Sequence, residues 1–189
     1  MSTRGKKTSE KRPKKAKLPT KAEALKILKD AGVEGTVIAH CQAVSALALS
    51  IGKRCKKPVD LKLIEISGLF HDIGRSDTHG IDHAVEGGKI AKGMDLPDAV
   101  VKIIERHIGA GLTEEDAGRL GLPKKSYVPE TLEEKIVAHA DNLLSGTKKV
   151  PVAQTIAGLI RKQEEEGAKR MLALHKELSK LCGIDLDLI

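Results

Sequence analysis

Apolar residues recur every three to four positions along most of this chain, the spacing of helices that bury one face. Thr20 and Glu23 make a capping box ahead of Ala24, Leu25, Leu28 and Ala31, and Gly32 stops that first helix. A second helix is predicted from about Thr36 to Lys53, through Val37, Ile38, Val44, Leu47 and Ile51. Asp60 caps a third through Leu63, Ile64, Ile66 and Leu69. A fourth runs from near Asp82 to about Lys92, and a fifth opens with Pro97 in its first turn and continues through Val100, Val101, Ile103 and Ile104 to His107. A short helical piece from Thr113 to Leu120 precedes the turn Gly121-Leu122-Pro123. Thr131 and Glu134 make another capping box before Ile136, Val137, Leu143 and Leu144. The last segment, about Val152 to Leu181, is expected to be helical up to Gly183, with Gly158 and Gly167 as points of break or bend. Alternating strand patterns, Asn-Gly hairpins and internal repeats are absent. The fold expected is all-α, a compact helical bundle.

Composition sharpens this picture. A chain of 189 residues is long enough to bury one core without staples. Its only aromatic residues are Phe70 and Tyr127, so the core must be Leu, Ile, Val and Ala, and a base-stacking surface is excluded. The net charge of +7 is confined to one place. Residues 1–17 hold eight of the 33 basic residues and one of the 26 acidic ones, which leaves 25 of each elsewhere. Three regions follow: a disordered basic tail over 1–17, a domain over 18–151, and a C-terminal helical extension over 152–189 packed on that domain. The tail is either a solvated leader or an arm that contacts the phosphates of RNA or of a ribosome. Lys53, Arg54, Lys56 and Lys57 look like a nucleic-acid patch, but cations also suit the end of a helix, and that reading is preferred. Cys41, Cys55 and Cys182 are scattered and odd in number, which fits a reducing cytoplasm rather than a disulfide framework. No apolar run approaches the roughly 18 residues of a membrane span, and no secretory signal follows the basic start, so no membrane partner is expected.

The candidate chemistry lies in imidazoles and carboxylates delivered by separate helices. His40 sits within an apolar helix, and His71 and Asp72 are adjacent at a helix end. His83 begins a helix, His107 ends one, and Asp141 follows Ala138-His139-Ala140. Apolar stripes bring such residues together inside a bundle, where an unpaired charge is costly and a divalent metal removes the cost. Cys41 beside His40 does not make a nucleophile pair, because neighbouring helical residues point about 100° apart. His139 is assigned a structural hydrogen bond and His175 a surface or interface position. A bare His-Asp pair is a weak signal, since seven histidines and eleven aspartates in 189 residues give about 0.4 such pairs by chance. The context is stronger: Leu69-Phe70-His71-Asp72-Ile73-Gly74-Arg75, then His83 with Glu86-Gly87, Arg106-His107-Ile108-Gly109, and Ala140-Asp141.

That order of residues over Thr36 to Gly146 resembles the HD-domain phosphohydrolase superfamily of HDIG type. Within it, the chain is similar to bacterial dinucleoside tetraphosphate hydrolases, and to small archaeal proteins with the stretch His79-Gly80-Ile81-Asp82-His83. The resemblance implies that His40, His71, Asp72 and Asp141 hold one divalent metal and that His83 and His107 hold a second, with Asp72 between them. Two such ions would activate hydroxide near neutral pH for attack on phosphorus. Asp72, Arg75 and His79 are then the candidate catalytic residues, Arg75 on a phosphate oxygen and His79 as proton donor. Lys89 and Arg106 are secondary phosphate candidates, and Gly109-Ala110-Gly111 is read as a helix terminator. The expected activity is hydrolysis of a phosphoester or phosphoanhydride in a nucleotide-like small molecule. The alternatives are a nucleotide-sensing or RNA-associated module and a di-iron oxygenase.

Overall fold

The computed structural model describes residues 17–189, so the tail expected over 1–17 lies outside it except for Lys17. The described residues form nine α-helices: α1 (Lys21–Asp30), α2 (Gly35–Arg54), α3 (Leu61–Phe70), α4 (His83–Gly93), α5 (Asp98–Glu105), α6 (Glu114–Arg119), α7 (Leu132–Asn142), α8 (Val152–Arg161) and α9 (Glu165–Cys182). Local signals explain most of the starts. The Thr20 hydroxyl and Glu23 carboxylate close a full capping box, Asp60 accepts from the Leu63 amide at 2.9 Å, and Thr113 with Asp116 closes a second box. At Thr131 the box is only half made, because the Glu134 carboxylate turns to the Glu130 amide and to Arg106 instead. Pro97 takes the cap position of α5 rather than its first turn, and α5 stops at Glu105, so His107 stands just beyond the helix.

Helix α2 runs through the centre, with α3 along one side and α7 along another, while α5 bridges α3, α4 and α7. Two aliphatic clusters meet along α3. One gathers Val44, Ile51, Ile64, Ile103, Ile136 and Leu143 with Met171 and Leu178 of α9, and the other joins Leu28, Ile66, Phe70, Val100 and Ile104. Each such side chain contributes about 1.5–3 kcal/mol by leaving water. By length and mean hydropathy (1.4) α2 is apolar enough to cross a membrane, contrary to the expectation that no segment comes near one; here it is the core helix of the bundle.

Two features depart from the expected helices. A short antiparallel hairpin, β1 (Leu144–Ser145) and β2 (Lys148–Lys149), follows α7, with Gly146 at φ +60 in its turn. The C-terminal helix is two helices: the chain breaks at 162–164, where Gln163 is left-handed at φ +63, while Gly158 and Gly167 lie within α8 and α9.

Candidate metal centre

Each histidine of the cluster is steered by a main-chain carbonyl. At the end of α3, where carbonyls lack helical partners, His71 turns back and its Nδ1 lies 2.8 Å from the Gly68 oxygen. His107 does the same beyond α5, with Nδ1 at 2.7 Å from the Ile104 oxygen, and His83 reaches the Gly80 oxygen at 2.7 Å. His40 is held from across the chain, 2.7 Å from the Gly146 oxygen in the hairpin turn. A carbonyl only accepts, so every Nδ1 carries the proton. In its neutral form each ring would therefore present an Nε2 lone pair to the interior.

These lone pairs converge on the two carboxylates. His40 Nε2 is 2.9 Å from Asp141 Oδ1 and 3.9 Å from Asp72 Oδ2. His71 Nε2 is 3.7 Å from Asp72 and 3.8 Å from Asp141. His83 and His107 face Asp72 Oδ1 at 3.1 and 3.5 Å, and their own Nε2 atoms are 3.0 Å apart. Two lone pairs at that distance repel unless a proton or a cation lies between them. His71 Nε2 and Asp72 Oδ1 are buried without a hydrogen-bond partner. Three overlapping groups have ligand atoms within 4.8 Å of one another: His40, His71 and Asp72; His71, His107 and Asp141; Asp72, His83 and His107. This set of imidazole nitrogens and carboxylate oxygens, with orphaned acceptors at its middle, fits divalent metal ions, and Asp72 stands where two ions would share a ligand.

Burial disfavours every charged form here, and the neighbours decide the outcome. At His40 burial opposes protonation, but the hydrogen bond to Asp141 overrides it and pushes the ring up to about 9. Burial wins at His71, which is pushed down. At His107 burial is again opposed, and Asp72 raises the ring. Burial also opposes the Asp72 carboxylate, yet the histidines around it, His71 foremost, hold it far below the usual range; Asp141 is likewise lowered against burial by His40. Burial pushes the Cys41 thiol well above its ordinary value, in keeping with its exclusion as a nucleophile.

Around this centre the remaining candidates divide. Arg75 turns inward: Nε donates to Asp72 Oδ2 at 3.0 Å, one terminal nitrogen donates to the His79 carbonyl at 3.2 Å, and the other lies 3.5 Å from His83 Nε2. The His79 ring is exposed, and only its carbonyl reaches the site. Arg106 is committed elsewhere, to Glu130 and the buried Glu134 at 2.9 and 2.8 Å, which removes it as a phosphate candidate. Lys89 pairs with Glu86 at 2.7 Å. Gly109 and Gly111 are left-handed at φ +58 and +92 in the turn after His107, not at the end of α5, which closes at Arg106 without them, and the Gly109 carbonyl accepts from Asn142 at 2.8 Å. His139 makes a structural hydrogen bond, 3.0 Å to His175 Nδ1, and burial pushes it down to about 3. His175 is a correction: it is buried and bonded to both His139 and Asp185, because the chain after α9 folds back over it. The residue that sequence reasoning missed is Gly146, whose only local signal is a glycine between Leu143-Leu144-Ser145 and the polar Thr147-Lys148-Lys149.

The family model described as HD domain matches residues 37–146. The chain belongs to the HD domain family, a superfamily of metal-dependent phosphohydrolases. Its relatives include an uncharacterized protein of Methanocaldococcus jannaschii, 45% identical over 164 residues, covering 84% of this chain and 96% of that one. Two others are named tRNA (cytidine(56)-2'-O)-methyltransferase. That of Picrophilus torridus is 44% identical over 90% of this chain and 49% of its own length, and that of Thermoplasma volcanium is 44% identical over 93% and 52%. The chain thus spans about half the length of these two relatives. In fold it is similar to the HD domain of the L. monocytogenes phosphodiesterase PgpH, with a TM-score of 0.50 at 18% identity over 85% of this chain and 97% of that one.

Proposed function

We propose that this chain hydrolyses a phosphoester or phosphoanhydride bond in a nucleotide-like substrate with the help of bound divalent ions. The observation that carries this reading is the shared carboxylate, since Asp72 belongs to two of the three ligand groups. Ions bound there would acidify a water and neutralise phosphate oxygens. The chain's own residues do the rest. The main-chain locks keep four Nε2 atoms aimed inward, and Arg75 Nε holds Asp72 Oδ2 at 3.0 Å. The N–H groups that Arg75 keeps spare are assigned to a phosphate oxygen. Protonation of the leaving group is assigned to His79 on condition that its exposed ring swings in from the edge of the same loop, since here only its carbonyl meets Arg75. The free cysteines support a cytoplasmic location.

The test begins with protein purified anaerobically and its metal counted per chain. Turnover is then measured with Mn²⁺, Fe²⁺, Co²⁺ and Ni²⁺ on p-nitrophenyl phosphate esters, dinucleoside polyphosphates and a broad nucleotide panel. We expect two ions per chain and turnover that Asp72→Asn abolishes. Metal-loaded protein that turns over nothing in the panel refutes the reading, and substrate-dependent O₂ uptake would replace it with an oxygenase.

The names of two relatives favour a second reading, an RNA-associated role. Those proteins are about twice as long, so their methyl transfer is not carried over to this chain. A hydrolytic half in a tRNA enzyme would find its substrate among RNA-derived phosphates, and the basic stretch over 1–17 supplies an arm for the polymer. Deleting residues 1–17 separates the roles: RNA binding lost with hydrolysis intact makes the stretch an address and the domain an enzyme.

A further inference from the structure

Two helix ends meet at one place on the surface, and both are cationic. The chain holds no Asp or Glu from Gly35 to Val59, and α2 runs out into Lys53, Arg54, Lys56 and Lys57, all exposed. The end of α9 packs against it: the Lys56 amide donates to the Leu181 carbonyl at 3.1 Å, and the Cys182 thiol lies 3.7 Å from the Ile51 carbonyl. The Lys56 side chain is laid over Gly183, where a Cβ would meet its Nζ at 3.0 Å. This junction adds Lys180 and, one turn before it, Lys176. Both are exposed, on the side of α9 opposite the buried Leu174 and Leu178. None of these six cations makes an ion pair among the described residues. Glu177, the one acid between Lys176 and Gly183, is taken by Lys135 at 2.7 Å.

Helix ends explain only part of this charge. Each C-terminus carries about half a negative charge, so the two together offset about one cation. The stretch over 1–17 is itself basic and cannot offset the others. A surface with that excess suits a polyanion. Membrane-seeking surfaces set apolar anchors beside their cations, but neither 53–57 nor 176–183 holds an exposed large apolar residue. His40 lies about 20 Å back along α2, so this end is separate from the metal centre. A stacked strand, at about 3.4 Å per nucleotide, covers that distance in about six nucleotides.

We infer that the joined ends of α2 and α9 seat the phosphate backbone of RNA. The inference rests on the RNA-associated reading above and gives it a surface on the folded domain. With no aromatic side chain at this end, the contacts hold phosphates and read no bases. The test is fluorescence anisotropy of the full chain with a fluorescein-labelled tRNA transcript, at KCl from about 50 to 200 mM. Arg54→Gln/Lys56→Gln/Lys57→Gln/Lys180→Gln should weaken binding at least about tenfold and lower the slope of log K against log[KCl] by about 2–4, while circular dichroism still reports a folded chain. The charge-keeping set Arg54→Lys/Lys56→Arg/Lys57→Arg/Lys180→Arg should bind within about twofold of the natural chain. Lys21→Gln/Lys29→Gln/Lys102→Gln/Lys162→Gln removes the same charge from exposed positions elsewhere and should cost less than about threefold. Equal losses from the two glutamine sets overturn the inference, because net charge rather than this end then holds the RNA. So does a first set that binds like the natural chain; if deleting 1–17 then removes binding, the RNA-associated reading survives on that stretch alone. A natural chain that binds no tRNA at the lowest salt overturns both. Flotation with anionic vesicles, lost in the first set and unaccompanied by tRNA binding, assigns the end to a membrane instead.

Discussion

Replacing Gly74 with alanine tests how tightly the metal centre is built. Gly74 is the fourth residue of the His71-Asp72-Ile73-Gly74 run, and the first turn of α4 crosses its α-carbon. A Cβ there would sit 2.0 Å from the His83 carbonyl oxygen and 2.5 Å from the Gly87 amide nitrogen. Real Cβ contacts essentially never fall below 3.0 Å, so the carbonyl must retreat by at least the 1.0 Å difference. Both obstacles are main chain, and no rotamer change relieves them. Overpacking of this kind costs about 1–3 kcal/mol, and a backbone obstacle places it near about 3 kcal/mol. With a urea slope of roughly 2 kcal/mol/M, the midpoint should fall by about 1.5 M. The shift also carries His83 away from Asp72 Oδ1, now 3.1 Å away, so metal affinity should drop about 10- to 100-fold. Gly93→Ala is the control, because nothing lies within 4 Å of its would-be Cβ at the end of α4, and it should be neutral or stabilising by up to about 1 kcal/mol. A Gly74→Ala protein with an unchanged melt and unchanged metal content would refute the claim that this contact sets the spacing of loop and helix.

Metal-free protein should lose stability as pH rises from about 6.5 toward 9: the folded His40 holds its proton more tightly than the unfolded one, so its contribution is full below the unfolded value and drains away through about 9. His40→Gln should flatten that slope in melts across pH, and a slope unaltered by the substitution would assign it to another group. Arg106→Ala should cost about 3–5 kcal/mol in urea melts, because it strands the buried Glu134 carboxylate; a larger effect on KM for a phosphorylated substrate than on stability would return Arg106 to phosphate binding. Lys149→Met should cost about 1–2 kcal/mol and raise amide exchange in the hairpin, since its ammonium bonds the carbonyls of Leu186, Asp187 and Ile189; unchanged exchange there would refute this bracing role.

The helices were legible in the sequence because their punctuation is local. Thr20, Asp60 and Thr113 cap within three residues of themselves, and Gly32 ends α1 by its own left-handed backbone. The cluster was legible because each of its residues sits on an apolar stripe or at the end of one, so packing the stripes brings His40, His71, His83, His107 and the two aspartates together. What escaped depends on partners far along the chain. Arg106 looks available until Glu130 and Glu134 arrive 24 and 28 residues later. His175 looks exposed until Asp185 folds back on it. The break at Gln163 has no glycine or proline to mark it, and the hairpin after α7 has two residues per strand, too few for an alternating pattern to show.

The four ring locks have a consequence for how this centre tolerates change. A peptide oxygen is common to all twenty amino acids, so the tautomers of His40, His71, His83 and His107 are set by main chain and not by side-chain chemistry, although that main chain itself holds positions 146 (φ +60) and 68 (a Cβ would lie 2.8 Å from Ser45 Cα) to glycine. Substitutions that leave the chain's path intact can redesign the surroundings while the nitrogens keep their aim. Only a change that bends the main chain itself would disarm the cluster at a distance.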